Sequence, residues 1–206
     1  MAVAVLFSAG KDSALAARLL DPFSDVVACH CTFGIATDPP TTGVAASAAE
    51  ALDLPLATVD LERSVAAEAV ERMVADGYPR AGVQRVHEHA LETVAGRETV
   101  AGETVTAVAD GTRRDDRVPA VDRSLARSLE DRHGVDYLRP LAGYGRGAVD
   151  EFAGRLLAVE TGPSEELATA DYETELRALL AAERDTETVR EVFPAHSQSR
   201  VVGRRE

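Results

Sequence analysis

Short apolar runs alternate with amphipathic stretches along most of this chain. Each run is bounded by Gly, Pro or short polar residues, a pattern typical of buried strands. The runs that we predict as five strands cover residues 2–7, 26–33, 56–61, 104–110 and 136–141. Helical spacing of apolar residues between them predicts connecting helices. The alternation therefore predicts an α/β fold with a parallel sheet and right-handed crossovers.

The intervening helices have recognisable ends. We predict them over residues 12–20, 43–52, 63–76, 83–95 and 119–132, and a further helix that follows the glycine-rich residues 143–147 and ends near Val159. From Gly162 the chain becomes acidic, and a helix over 172–183 carries only a narrow apolar stripe. We therefore expect a main domain over residues 1–160, with residues 161–206 forming a helical and extended C-terminal appendage packed on it.

Composition limits the setting of the protein. The 206 residues carry 35 acidic and 22 basic side chains, a formal net charge of −13, and Lys11 is the only lysine. An acidic surface keeps a protein hydrated and soluble in concentrated salt, so we expect a halophilic, haloarchaeal protein. Two cysteines, no leader pattern and no apolar run of about 18 residues lead us to expect a cytoplasmic protein that does not enter membranes.

The turn at residues 8–13 follows the first strand and opens the first helix. This geometry directs backbone N–H groups and a helix N-terminus at one point, which favours anion binding. Ser8 and Ser13 offer hydroxyls, Gly10 permits close backbone approach and Lys11 supplies a positive charge, whereas Asp12 either caps the helix or holds a metal. The order of residues differs from the Walker P-loop, in which Ser or Thr directly follows Lys.

The six residues Ser-Ala-Gly-Lys-Asp-Ser resemble the PP-loop of the ATP pyrophosphatase superfamily, which includes N-type ATP pyrophosphatases and asparagine synthetase. Its usual form is Ser-Gly-Gly-x-Asp-Ser, so Ala9 replaces the first Gly. The resemblance implies an adenine nucleotide α-hydrolase fold of the HUP type, with a five-stranded parallel sheet in the order 3-2-1-4-5 sandwiched by helices. Residues 1–160 would then be the PP-loop nucleotide-binding domain.

A second motif follows the fourth predicted strand. Asp110, Gly111 and Thr112, with the acidic pair Asp115 and Asp116, resemble the second conserved loop of the superfamily. By resemblance, the first three contact ATP, and the acidic pair joins Asp12 in holding Mg²⁺, which prefers oxygen ligands and phosphate partners. The alternative is a solvated loop in which arginines and aspartates form surface pairs of little energetic value.

Two further segments match the same family. Arg139, in the Leu-Arg-Pro-Leu run after the fifth predicted strand, is expected to reach ATP or an adenylated intermediate. Cys31, Thr32 and Phe33 end the second strand, where the family binds adenine largely through backbone atoms. Phe33 would stack on the base, and the alternative is simply a buried strand end.

Other reactive side chains receive plainer interpretations. Cys29 and Cys31 are either sulfur carriers or small buried residues, and the lack of a Cys-x-x-Cys pair favours burial. His87 and His89 do not share a helix face, so we expect surface residues and not metal ligands. Near the C-terminus, His196, Gln198 and Ser199 belong to a polar segment that either closes over the site, folding back onto the sheet edge, or is an ordinary terminal strand or disordered end.

The resemblance as a whole implies an enzyme that cleaves ATP to AMP and pyrophosphate. Its catalytic residues would be Lys11, Asp12, Asp115 and Arg139, and its cofactors ATP and Mg²⁺. It would adenylate a carboxylate or carbonyl of an unidentified small molecule or tRNA for amidation or thiolation. The sequence leaves both a monomer and a homodimer open. The alternatives are a non-catalytic nucleotide-binding module and a phosphoadenylylsulfate reductase-like enzyme, which requires a later cysteine than any in this chain.

Overall fold

The computed structural model describes residues 2–205. Within that range, strands and helices alternate over the first two-thirds of the chain, as the apolar pattern predicts. In chain order the elements are β1 (Ala2–Leu6), α1 (Lys11–Leu20), β2 (Asp25–Thr32), α2 (Thr41–Leu52), β3 (Leu56–Asp60), α3 (Arg63–Asp76), α4 (Arg80–Ala95), β4 (Thr99–Val100), β5 (Glu103–Ala109), α5 (Arg123–His133), β6 (Asp136–Leu138), α6 (Arg146–Leu156), β7 (Leu157–Pro163), α7 (Tyr172–Glu183), α8 (Thr186–Val192) and β8 (Ser197–Arg204).

The main sheet is parallel and has the predicted order. Its strands run β3-β2-β1-β5-β6, and the short β4 adds an antiparallel pairing to β5. Because β5 and β6 are the fourth and fifth predicted strands, this is the expected 3-2-1-4-5 arrangement. β1 lies at the centre, where Val5 is in register with Ala28 of β2 and Ala109 of β5.

Helices cover both faces of the sheet, so the central strand is apolar on both sides. Val3 and Val5 pack with α1, α2 and α6 on one face, whereas Ala4 and Leu6 pack with α3 and α4 on the other. None of these four side chains is more than 6% exposed. A strand buried on both faces has to be continuously apolar, which is why β1 is recognisable from sequence.

Several helix boundaries differ from the sequence prediction. The helix predicted from residue 119 begins at Arg123, because the carboxylate of Asp122 accepts a hydrogen bond from the Leu125 backbone N–H at 2.8 Å and caps it. The helix predicted from residue 83 begins at Arg80, and the one predicted from residue 43 begins at Thr41. The strand predicted to residue 141 ends at Leu138.

The C-terminal part forms an antiparallel hairpin that sequence analysis missed. The helix predicted to end near Val159 stops at Leu156, because Leu157 is extended and pairs with Arg204. β7 therefore crosses residue 160, where we expected the appendage to begin. β8 pairs with β7 and not with the edge of the main sheet, so of the alternatives for the C-terminal segment the structure has a terminal strand and not one that docks on that edge. No helix among residues 2–205 has the length and apolarity to cross a bilayer.

Candidate functional site

A cleft of about 790 Å³ opens at the carboxyl ends of the central strands. This edge is where parallel α/β sheets bind ligands. The predicted site residues that line the cleft are Ser8, Gly10, Lys11, Asp12, Ser13, Cys31, Asp110, Gly111, Thr112, Asp116, His196, Gln198 and Ser199. The fold thus brings together the first turn, the loop after β5 and the C-terminal segment. Ala9, Thr32, Phe33, Asp115 and Arg139 lie outside the lining.

The turn between β1 and α1 is tied together by its own hydroxyls. Ser13 Oγ donates to the Gly10 carbonyl at 3.1 Å, and it accepts from the Ser8 backbone N–H at 3.3 Å. Ser8 Oγ lies 3.2 Å from Ser13 Oγ. Ala9 has a φ of 58° and is completely buried. The position where the superfamily usually has Gly is therefore left-handed here, although Ala occupies it.

The loop after β5 presses directly on the first turn of α1. A Cβ atom on Gly111 would lie 2.7 Å from the carbonyl carbon of Asp12 and from the amide nitrogen of Ser13. Such an approach is possible only for a residue without a side chain. Gly111 therefore fixes the distance between the two loops that resemble superfamily motifs.

Charged side chains alternate in sign across the floor of the cleft. Lys11 Nζ lies 2.9 Å from Asp12 Oδ1 and 3.3 Å from Asp150 Oδ1. The guanidinium of Arg113 lies 3.6 Å from Asp12 Oδ2, and its Nε donates to Asp116 Oδ1 at 3.0 Å. Asp12 thus stands between two cations, so an incoming anion would find positive groups already positioned near the turn.

The three carboxylates predicted to hold a metal are arranged around Arg113. Among residues 2–205, no three acidic, His or Cys side chains converge as a metal-binding group. Asp115 instead accepts a hydrogen bond from the Arg146 backbone N–H at 2.9 Å at the start of α6. This bond lowers the pKa of its exposed carboxyl. Asp115 therefore lies at the rim, where it caps a helix.

Asp110 is the centre of a buried hydrogen-bond network at the wall of the cleft. Its Oδ1 accepts from the Thr112 backbone N–H and hydroxyl at 2.9 and 2.6 Å. Its Oδ2 accepts from His87 Nε2 at 2.9 Å and from the Tyr137 hydroxyl at 2.7 Å. Burial opposes ionisation, but these donors outweigh it and lower the pKa of Asp110 to about 2. The carboxylate is therefore charged and fully engaged in positioning the loop.

His87 is buried, with 5% of its surface exposed, so the prediction of a surface histidine was wrong. It lies on the apolar face of α4 with Val86, Ala90 and Leu91, where the Asp110 carboxylate compensates its burial.

Arg139 contacts the same network through Thr112. Its Nε donates to Thr112 Oγ1 at 3.0 Å and its guanidinium also donates to the Val121 carbonyl at 3.0 Å.

The carboxyl end of β2 is occupied by Glu175 of α7. Its carboxylate accepts from the Thr32 hydroxyl at 2.7 Å, the Phe33 N–H at 2.8 Å and the Ile35 N–H at 3.1 Å. Glu175 is 1% exposed. The backbone groups that we expected to bind adenine are thus bound within the protein. Glu175 was missed, although its position in phase with Tyr172 and Leu179 places it on the inner face of α7.

The cysteines are buried, as the second interpretation of the sequence held. Both are free thiols that border the cleft on the side of α4. Burial raises the pKa of Cys29 to about 12 and raises that of Cys31 as well. Neither side chain is therefore a thiolate at neutral pH, and both behave as small apolar residues there.

The C-terminal segment reaches the turn between β1 and α1. The Lys11 backbone N–H donates to Ser199 Oγ at 3.2 Å, and the Val201 N–H donates to the Ala9 carbonyl at 2.8 Å. Gln198 donates from Nε2 to Asp171 Oδ2 at 3.1 Å. The hairpin therefore forms one wall of the cleft, and its two hydrogen bonds hold the Ser8–Ser13 turn in place.

His196 lies at the outer end of that wall. Its Nε2 is 3.6 Å from the Glu173 carboxylate, which also accepts from Arg177 Nε at 2.7 Å. Burial, together with the negative charge of Asp171, raises the pKa of Glu173. Glu173 and His196 of this cluster line the cleft.

Comparison with known proteins places this architecture in a family. The model of a family of unknown function, DUF7411, matches residues 1–203. The chain belongs to this family. It is 35% identical over 204 residues to the uncharacterized protein MJ0690 of Methanocaldococcus jannaschii, covering 98% of this chain and 96% of that protein.

A solved structure has the same fold. It is described as a predicted subunit of tRNA methyltransferase from Methanocaldococcus jannaschii, and it superposes with a TM-score of 0.86 at 32% identity. The match covers 100% of this chain and 98% of the other. The hairpin and α7 therefore lie within the part of the chain that the two proteins share.

Proposed function

We propose that this DUF7411 protein is a PP-loop ATP pyrophosphatase that cleaves ATP to AMP and pyrophosphate and adenylates a carboxylate or carbonyl of its acceptor. The observation that carries the proposal is the meeting of the Ser8–Ser13 turn with the Asp110–Thr112 loop at the carboxyl edge of the sheet. Lys11 and Arg113 bring positive charge to that point. Charge of this sign, beside a helix N-terminus, favours a polyphosphate.

The residues present fit the phosphates of ATP. Gly10 is the N-cap of α1 and provides no side-chain hydrogen bond, whereas the Lys11 N–H donates to Ser199 Oγ. The N–H groups of Asp12 and Ser13 are therefore those that the first turn would offer to an anion. Lys11 would exchange its contacts with Asp12 and Asp150 for phosphate oxygens. Arg113 is placed to neutralise charge that develops on the leaving pyrophosphate. Asp110 and Arg139 act behind Thr112 and hold its loop in position.

Mg²⁺ fits this site as an ion shared with the nucleotide. Magnesium commonly binds through one or two carboxylates plus substrate phosphates, so it does not require a closed set of protein ligands. Asp12 lines the cleft between Lys11 and Arg113, and Asp116 lies on the far side of Arg113. We propose these two carboxylates as its ligands, and the ion would supply charge neutralisation at the phosphates. Asp115, as a helix cap, takes no part.

The proposed reaction has two steps. An acceptor oxygen attacks the α-phosphorus, the bond to the β-phosphate bridging oxygen breaks, and pyrophosphate leaves with the electron pair. A nitrogen or sulfur nucleophile then adds to the activated carbon, and AMP departs. Because both thiols of this chain are buried and protonated, a sulfur atom would come from another molecule. Ser199 of β8 accepts a hydrogen bond from the Lys11 N–H. We therefore propose that the C-terminal segment keeps the Ser8–Ser13 turn in position during both steps.

The acceptor that we propose is tRNA. The structural relative is described as a predicted subunit of tRNA methyltransferase. The superfamily that the Ser8–Ser13 turn resembles also contains tRNA-modifying ligases. This choice leaves the cleaved bond and the phosphate site unchanged. It also defines the substrate with which turnover has to be measured.

The decisive experiment follows radiolabelled ATP in the presence of Mg²⁺ and bulk tRNA. Formation of AMP and pyrophosphate supports the proposal, whereas formation of ADP contradicts it. Lys11→Ala should lose ATP binding, while Arg155→Ala, an exposed arginine in α6, should bind ATP like the wild type. Tight binding of ATP without formation of AMP, whichever acceptor is added, would instead identify a non-catalytic nucleotide-binding protein.

A further inference from the structure

A second groove, of about 450 Å³, adjoins the cleft on the side of α4. Its lining comes from the end of α3, the connection to α4, the start of α4 and the loop after β5: Asp76, Tyr78, Arg80, Ala81, Gln84, Arg117 and Val118. Val118 also lines the main cleft, so the two spaces share a wall. The proposed reaction has no role for this groove.

The groove has an exposed aromatic ring beside two available cations. The Tyr78 side chain is 53% exposed, so its ring is accessible from the groove. Among residues 2–205, no carboxylate forms an ion pair with Arg80 or Arg117. Asp76 is the acidic residue of the lining, and its carboxylate accepts from Arg72 Nε at 2.8 Å. The positive charge of the groove is therefore not cancelled from within.

This local charge contrasts with the rest of the chain. Residues 113–127 contain five arginines and three aspartates, in a protein with a formal net charge of −13. The loop is also fixed against α4, because Gln84 both donates to the Ala120 carbonyl and accepts from its N–H, each at 2.8 Å. These two hydrogen bonds therefore fix the loop that carries Arg117 relative to the helix that carries Arg80. A basic patch on a strongly acidic protein indicates a polyanionic partner.

We infer that this groove, here called the Tyr78 groove, docks a single-stranded segment of tRNA, with a base stacked on Tyr78 and phosphates held by Arg80 and Arg117. Stacking on an exposed aromatic ring, combined with arginines along the backbone, is how proteins bind unpaired nucleotides. The shared wall at Val118 would bring the next nucleotides to the cleft. The inference rests on the proposed function only for its choice of tRNA as the acceptor.

The test is fluorescence anisotropy with fluorescein-labelled bulk tRNA across a series of KCl concentrations. Loss of one stacked base predicts that Tyr78→Ala weakens binding at least about fivefold, whereas Tyr78→Phe keeps it. Arg117→Ser should weaken binding and reduce the slope of log affinity against log salt by about one. Phe23→Ala, an 85% exposed ring at the opposite edge of the sheet, and Arg155→Ser are the matched controls and should bind within twofold of wild type.

Several outcomes would overturn the inference. Two concern the variants: Tyr78→Ala binds tRNA as tightly as the wild type, or Phe23→Ala loses as much tRNA affinity as Tyr78→Ala. Two concern the wild type: it does not bind tRNA, or it binds a labelled polyglutamate peptide more tightly than tRNA. A labelled RNA duplex that binds as tightly as tRNA would also contradict base stacking. ATP binding by the same variants separates the two proposals: Lys11→Ala should lose ATP and keep tRNA, whereas Tyr78→Ala should keep ATP and lose affinity for tRNA.

Discussion

The carboxylate of Glu175 accepts a hydrogen bond from the backbone N–H of Phe33 at 2.8 Å, although 142 residues separate them along the chain. The bond connects α7 to the carboxyl end of β2 and fills a place that sequence analysis assigned to adenine. It makes the C-terminal part a structural component of the cleft. Under the proposed function, the base of ATP would therefore lie elsewhere in the cleft.

Glu175→Ala should destabilise the protein strongly. The change leaves the Phe33 and Ile35 N–H groups and the Thr32 hydroxyl buried without an acceptor, and each such group costs roughly 1–3 kcal/mol. We expect a loss of at least about 3 kcal/mol in the free energy of unfolding, measured by urea denaturation. Glu183→Ala, at an exposed position of the same helix, is the matched control. Equal stability of the two variants would contradict the role of Glu175.

The stability of the protein should fall in acid because of Asp110. Its folded-state pKa of about 2 lies below the usual 3.8, so its contribution is present above about pH 4 and is lost as pH falls towards 2. A shift of this size corresponds to about 2 kcal/mol. Asp110→Asn should lack this component of the pH dependence. Denaturation curves at a series of pH values would measure it, and parallel curves for the two proteins would contradict the assignment.

Gly111→Ala should damage both loops of the site. The added methyl would lie 2.7 Å from backbone atoms of Asp12 and Ser13, which cannot rotate away as a side chain can. We expect a loss of about 1–3 kcal/mol in stability and weaker binding of ATP. Gly143→Ala, where a methyl would meet nothing within 4 Å, should leave both quantities unchanged. Calorimetric titration with ATP and thermal unfolding of the two variants provide the comparison.

Ala9→Gly should be nearly neutral. Relief of the left-handed backbone gains about 1 kcal/mol, but loss of the buried methyl costs about 0.8 kcal/mol. We therefore expect a net change below about 1 kcal/mol and unchanged ATP binding. Ala9→Val should instead destabilise markedly, because a β-branched residue is disfavoured at a φ of 58°. Thermal unfolding that ranks Val equal to Gly would show that this backbone conformation is not retained in solution.

The sequence by itself determined the sheet and the residues of the turn. β1 and the start of β2 are continuously apolar because both faces of the sheet are covered, and this local property predicted the strands. The order of the strands was predicted by the resemblance of the turn to the PP-loop. The Ser8–Ser13 turn and the Asp110–Thr112 loop were recognisable because their residue types follow strands directly. Parallel strands bring their carboxyl ends to one edge, so the meeting of these two segments was predictable.

Only the tertiary structure decided what surrounds them. Three features depend on residues far apart in the chain: the β7–β8 hairpin, the burial of His87 against Asp110, and the hydrogen bonds of Glu175 at the end of β2. Apolar periodicity reports whether a helix has a buried face, but it does not report which polar groups that face will meet. A buried histidine or carboxylate is stable only when its partner arrives from another element, and the position of that element is a property of the packed chain.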